Sequence, residues 1–217
     1  MKPLIFDGNH ADRVTMLWDM QRAGIRLFIH KASEGDYMTD DAYRPRIERA
    51  KATGMLTGAY HFGTNDPVKD QVDLFISIVH PGEVLWLDFE RYEARPEKQM
   101  NSQQAEEFVH MVLDRTGVQI GLYCGEFILE EEAMGHISPS SILRRCPMWI
   151  SRYADAPPKC IKGGDIVAHQ FTGDGVGPLP HRIPGCDNDA DLSRWIGNPD
   201  DIPRFVAKHS LPGVGNG

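Results

Sequence analysis

The 217-residue chain is poor in cysteine, and its four thiols (Cys124, Cys146, Cys160 and Cys186) fall at neither C-x-x-C nor zinc-ligand spacing. Their scatter excludes a thioredoxin-like redox motif and reads them as buried or idle thiols of a reduced compartment. Long apolar runs are absent too. Nothing approaches the ~20 residues that a membrane-spanning helix requires, so no membrane insertion is expected. The opening stretch MKPLIFDGNH has too short an apolar segment for a signal peptide and no small-residue cleavage site, which predicts synthesis in the cytoplasm. Positive charge is scarce: with a net charge of −8 and no basic stripe, the chain offers nucleic acid no footing. No G-x-G-x-x-G or P-loop marks a nucleotide site. Internal repeats and low-complexity tracts are missing.

What is there is an ordinary globular composition, 41% hydrophobic and 25% charged, in a length that one domain fills with a substantial core. Short apolar runs alternate with helical patterns. PLIFD (3–7) reads as a strand, and VTMLWDMQRAG as a helix closed by Gly24. IRLFIHKASEG is a strand, and DDAYRPRIERAKATG a helix ending at Gly54. MLTGAYHF is the third strand, followed by a helix starting near Asp66 with Pro67 in its first turn. EVLWLDFE is the fourth, followed by a helix capped by Ser102. VQIGLYCG is the fifth. After it the helices thin out, and PMWISRYA, DIVAHQFT and DADLSRW read as three further strands joined by loops. Strands separated by helices of this length pair in parallel under a helical cover. About eight of them fit a closed α/β barrel of the TIM type, five βα units followed by three less regular strands, better than an open doubly wound sheet. Residues 1–199 form this barrel, and 200–217 a C-terminal helix or tail with no separate binding module.

The strand ends are polar in series. The first carries Asp7, Asn9 and His10; the second His30, Lys31 and Glu34; the third Tyr60 and His61. The fourth ends in Asp88 and Glu90, the fifth in Tyr123. The sixth carries Trp149 and Tyr153, the seventh His169 and Gln170, and Asp187, Asp189 and Asp191 lie in the last region. In a parallel barrel such ends meet at one mouth, where this architecture places its chemistry. In WLDFE, Asp88 and Glu90 stand two residues apart on a strand, so both project to one face ~7 Å apart and raise each other's proton affinity. An acidic, aromatic mouth suits stacking on sugar rings and protonation of glycosidic oxygens. His10, His30, His61 and His169 invite a metal reading, but no H-x-H follows the first strand and no H-E-x-x-H lies on a helix, so no metal and no cofactor is expected.

At this point the ordered motifs FIHKASEG, TGAYHF, WLDFE, PMWISRY, HQFT and ADLSRW resemble those of glycoside hydrolase family 25, the muramidases (lysozymes) of bacteria and phages, over about residues 4–197. The resemblance implies cleavage of the β-1,4 bond between N-acetylmuramic acid and N-acetylglucosamine in bacterial peptidoglycan. It makes Glu90 the proton donor of the family's D-x-E, with Asp88 assisting, Asp7 closing the first strand, and Asp191 as the late aspartate. Two departures stand out: Gly8-Asn9 replace the usual apolar residue and serine, and the CDNDAD cluster leaves the late register open among Asp187, Asp189 and Asp191. Glu34 is a candidate for sugar hydroxyls. Tyr60, Tyr123, Trp149 and Tyr153 are candidates for a stacking platform, and His61 and Gln170 for the site wall. Either the substrate's own acetamido oxygen or an activated water attacks. The expected protein is a monomer that acts on the cell wall, as a phage or prophage endolysin would. The rival readings are a non-catalytic wall-binding or virion module and a metal-dependent amidohydrolase.

Overall fold

A computed structural model describes residues 4–126, 138, 140–158 and 165–212. The elements are β1 (Ile5–Gly8), α1 (Leu17–Ala23), β2 (Leu27–Glu34), β3 (Met38–Thr39), α2 (Tyr43–Ala52), β4 (Leu56–Phe62), α3 (Val68–Ile78) and β5 (Glu83–Asp88). Then follow α4 (Ser102–Thr116), β6 (Gly121–Gly125), β7 (Met148–Ser151), β8 (Ile166–Thr172), β9 (Asp191–Trp195) and α5 (Ile202–Lys208). The hydrogen-bonded order is β1-β9-β8-β7-β6-β5-β4-β2-β3, and β1 also pairs with β2, which closes a barrel and leaves β3 as a short hairpin on β2.

Each strand divides its side chains between two layers, as a period of two demands. Ile5, Leu27, Ile29, Val84, Trp86, Trp149, Ala168 and Trp195 fill the barrel. Their neighbours Phe6, Phe28, Leu85, Leu87, Leu122, Ile150, Phe171 and Leu192 face outward under the helices. The helices meet them with buried stripes at i, i+3, i+4 and i+7: Val68, Gln71, Val72 and Phe75 on α3, of which Gln71 is the polar member, and Ala105, Phe108, Val109 and Val112 on α4. The barrel's lower end is shut by α5. Its Phe205 ring lies 5.0 Å from Trp195 and 6.0 Å from Trp86, and the Leu85 N–H donates to the His209 carbonyl at 3.2 Å. The packed unit therefore runs past residue 199.

Three expectations change. The last strand, β9, runs antiparallel to both β8 and β1. The chain crosses from β8 to β9 by a loop over the mouth, without the helix that would carry it back for a parallel entry, so Asp191 sits at the mouth by starting its strand. The α4 cap is Asn101, whose side chain accepts from the Gln104 N–H while Gln104 reciprocates, one residue before the expected Ser102. Pro67 precedes α3, which begins at Val68, so it stands outside the first turn, and the Asp66 carboxylate accepts from the Thr64 hydroxyl and pairs with Lys98. Cys124, Cys146 and Cys186 are buried and free; Cys160 lies outside the described residues. Among the described residues no helix is long and apolar enough to cross a membrane.

Candidate active site

The upper end of the barrel opens into a hollow of about 220 Å³ whose wall includes Asp7, Asp88, Glu90 and Asp191, with Asp174 at its edge. Each acid arrives by its own route. Asp7 stands in β1 and Asp88 ends β5. Glu90 lies just beyond β5, in a loop braced from within: Gln99 donates to the Glu90 carbonyl at 2.6 Å and accepts from the Tyr92 N–H at 2.7 Å. Asp191 opens β9 and its Oδ1 accepts from the Asp174 N–H at 3.1 Å. Asp174 adopts a left-handed φ of 50° in the turn between β8 and β9. Of the three late aspartates, Asp191 alone lines the hollow. Asp189 pairs with Arg182 at 3.2 Å, and Asp187 is exposed with its carbonyl accepting from Arg13 at 2.9 Å.

Burial and mutual repulsion decide the proton affinities. Desolvation raises Glu90 to about 7 and Asp191 to about 7, with the Asp174 charge adding to both. Asp7 and Asp88 are pushed well above the usual carboxylate range, first by burial and then by Asp191 and Glu90 respectively. Gln170 partly offsets this at Asp7: it donates to Asp7 Oδ2 at 3.0 Å while accepting from the Tyr123 hydroxyl at 2.8 Å. Asp7 Oδ1 and Asp88 Oδ1 are buried without a hydrogen-bond partner among the described residues. Native folds rarely tolerate such atoms unless they face a group that is bound in use.

The aromatic candidates separate. Tyr60, Tyr123 and Trp149 line the hollow as its floor, with Trp149 packed edge-on against Tyr123 at 4.7 Å and against Trp86 at 5.4 Å. The Trp149 faces are covered, so it supports the site and gives no open stacking surface. Tyr153 is the exposed one, at 40%, on the rim beside a second hollow that also touches Glu90. Gln170 is buried behind Asp7 and does not belong to the wall.

Two expectations fail on geometry. His61 points away from the mouth. It is fully buried, stacked on Phe108 at 4.9 Å, and bonded to Ser33 and Gln71 at 2.8 and 3.0 Å. Tyr60 and Phe62 take the inward face of β4, and alternation turns His61 to the helices. Glu34 is already engaged: it pairs with Lys31 through one oxygen and accepts from the Tyr37 and Tyr92 hydroxyls at 2.7 and 2.6 Å through the other, so it serves as an anchor inside the protein. Phe62 and Asp174 join the wall without having been singled out in the sequence, and Asn9 and Lys31, read there only as polar strand ends, join it too. Asp174 had a signal, an acid between glycines directly after a strand, in TGDGVG.

Residues 7–178 match the profile of glycosyl hydrolases family 25. The fold is similar to that of a bacterial lysozyme from Streptomyces coelicolor (TM-score 0.77, 19% identity, covering 94% of this chain and 97% of that one). It is similar to a muramidase from Acremonium alcalophilum (TM-score 0.75, 19% identity, 93% and 97% covered). It also resembles the catalytic domain of an endolysin from a bacteriophage of Listeria monocytogenes (TM-score 0.70, 17% identity, 95% and 98% covered). No curated protein sequence matches the chain.

Proposed function

The chain belongs to glycosyl hydrolase family 25, and from that premise we propose that it is a peptidoglycan hydrolase, an N-acetylmuramidase acting on the β-1,4 bond between N-acetylmuramic acid and N-acetylglucosamine, with Glu90 as the general acid. One observation carries the reading: five carboxyl groups, those of Asp7, Asp88, Glu90, Asp174 and Asp191, share one small hollow at the mouth of the barrel, and burial keeps Glu90 protonated up to about pH 7. A donor must hold its proton at working pH and release it as the leaving oxygen gains charge, and a carboxyl poised near neutrality does both.

In this mechanism Glu90 protonates the glycosidic oxygen as the bond to C1 breaks, and positive charge spreads over C1 and the ring oxygen. Asp88 receives that charge with its unpaired oxygen and orients the attacking group, either the substrate's acetamido oxygen or a water. Asp7, fixed by Gln170, and Asp191, fixed by the Asp174 backbone, hold sugar hydroxyls or the amide N–H. Tyr153 offers an open ring for stacking beside Glu90. The likeness to lysozymes, a muramidase and an endolysin domain supports cell-wall glycan as the partner.

Replacing Glu90 tests the assignment. Glu90→Gln keeps the shape and removes the acidic proton, so lysis of purified walls should fall by ~100-fold or more while the far-ultraviolet circular dichroism stays native. A folded variant that clears walls at near the parent rate would remove Glu90 from the chemistry.

A further inference from the structure

The wall of the acid hollow contains a single basic side chain among the described residues, Lys31. It is held from several sides. Its ammonium pairs with Glu34 and lies 4.8 Å over the Phe62 ring. Glu34 is anchored in turn by the hydroxyls of Tyr37 and Tyr92, and Tyr92 belongs to the loop that carries Glu90. The ion pair is nearly enclosed, with both side chains at 12% and 11% exposure. A surface lysine would cost little to leave loose; this one is clamped.

Resting on the function proposed above, we propose that Lys31 is a positioning residue. Clamped by Glu34, Tyr37 and Tyr92, it fixes a positive charge in the acid hollow and thereby sets the pH range over which Glu90 carries its donor proton.

The surroundings of Glu90 support this. Acids face it from several elements: Asp7 on β1, Asp88 on β5, Asp191 on β9, Asp174 in the β8–β9 turn and Glu93 in its own loop. The phenols of Tyr60, Tyr123 and Tyr153 stand near it and stay neutral. Against burial and these charges, the Lys31 ammonium is the group that lowers both Glu90 and Asp88. Without it, Glu90 would hold its proton further into the alkaline range and release it too reluctantly at neutral pH. Glu34 contributes by holding the ammonium in place and by screening part of its charge.

The experiment is a titration of the full chain labelled with ¹³C at the Asp and Glu carboxyls, with the Glu90 signal assigned from Glu90→Gln, alongside the pH profile of wall lysis. Lys31→Met should raise the Glu90 midpoint by about half a unit or more and carry the alkaline limb of kcat/KM upward with it. Lys31→Arg, which keeps the charge, should stay close to the parent. Lys31→Gln, which removes the charge but keeps a polar side chain for Glu34 to hold, should raise the midpoint likewise and serves as the second probe if Lys31→Met folds poorly. An unchanged or lowered midpoint in folded Lys31→Met, or in folded Lys31→Gln, would overturn the proposal. If the parent protein cuts no wall glycan yet the midpoints move as stated, the functional reading fails and the role of Lys31 stands.

Discussion

Burial raises Glu90 and Asp191 so that each holds its carboxyl proton up to about pH 7, and that has a consequence for stability as well as for chemistry. The ordinary glutamate value is 4.5. Between there and about 7 the folded protein retains a proton that the unfolded chain has released. The folded state then binds more protons, so stability falls as pH rises through this window, and the full penalty of a buried charge stands above it. Glu90→Gln carries no such penalty. It should be more stable than the parent at pH 7 by on the order of 1–3 kcal/mol, a rise of a few degrees in Tm, and the two should converge at pH 4 where both side chains are neutral. Asp187→Asn, on an exposed side chain, should show no comparable gain. A Glu90→Gln protein that is less stable at pH 7, or equally altered at both pH values, would mean that this carboxyl is not strained by its surroundings. At this scale the sequence was informative about which acids converge, because a two-residue spacing on a strand and a repeated polar strand end are local signals. The engagement of Glu34 was hidden, since Tyr92 is 58 residues away and meets it only in the fold.

Among elements, the turn between β8 and β9 departs most from a simple repeat. The first five strands and their helices were legible because the periodicity alternates cleanly between 2 and 3.6. His61 could have been placed by the same rule, since Tyr60 and His61 are neighbours on β4 and cannot share a face. The direction of β9 was not written in its own residues: DLSRW alternates equally well either way, and only the missing helix before it hinted at the reversal. That turn also has a steric demand. A Cβ at Gly173 would come within 2.6 Å of the Tyr153 hydroxyl and 2.9 Å of Asp191 Oδ1, so glycine is what lets these two side chains approach the turn. Gly173→Ala should therefore displace Asp191 or Tyr153 by a few tenths of an ångström or more and lower kcat for wall lysis by about tenfold, since misplacements of this order are felt at a reacting centre. The check is the initial rate of turbidity loss together with Tm. A parent-like rate in the folded variant would show that neither side chain must sit where it does.

For the molecule as a whole, the two ends of the barrel carry different tasks. The lower end is closed by Trp86, Trp195 and Phe205 and holds the fold, while the upper end concentrates uncompensated acids around one lysine. The net charge of −8 gives no hint of that polarity by itself; the topology creates it by bringing the mouth ends of separate strands together. The central claim is that this mouth cuts the glycan at the reducing side of N-acetylmuramic acid. Mass spectrometry of the muropeptides released from purified peptidoglycan tests it most directly, after borohydride reduction to mark new chain ends. The account predicts that the label sits on N-acetylmuramic acid in the parent digest and that these fragments vanish with Glu90→Gln. Reduced N-acetylglucosamine at the new ends, or free stem peptides with the glycan intact, would contradict it.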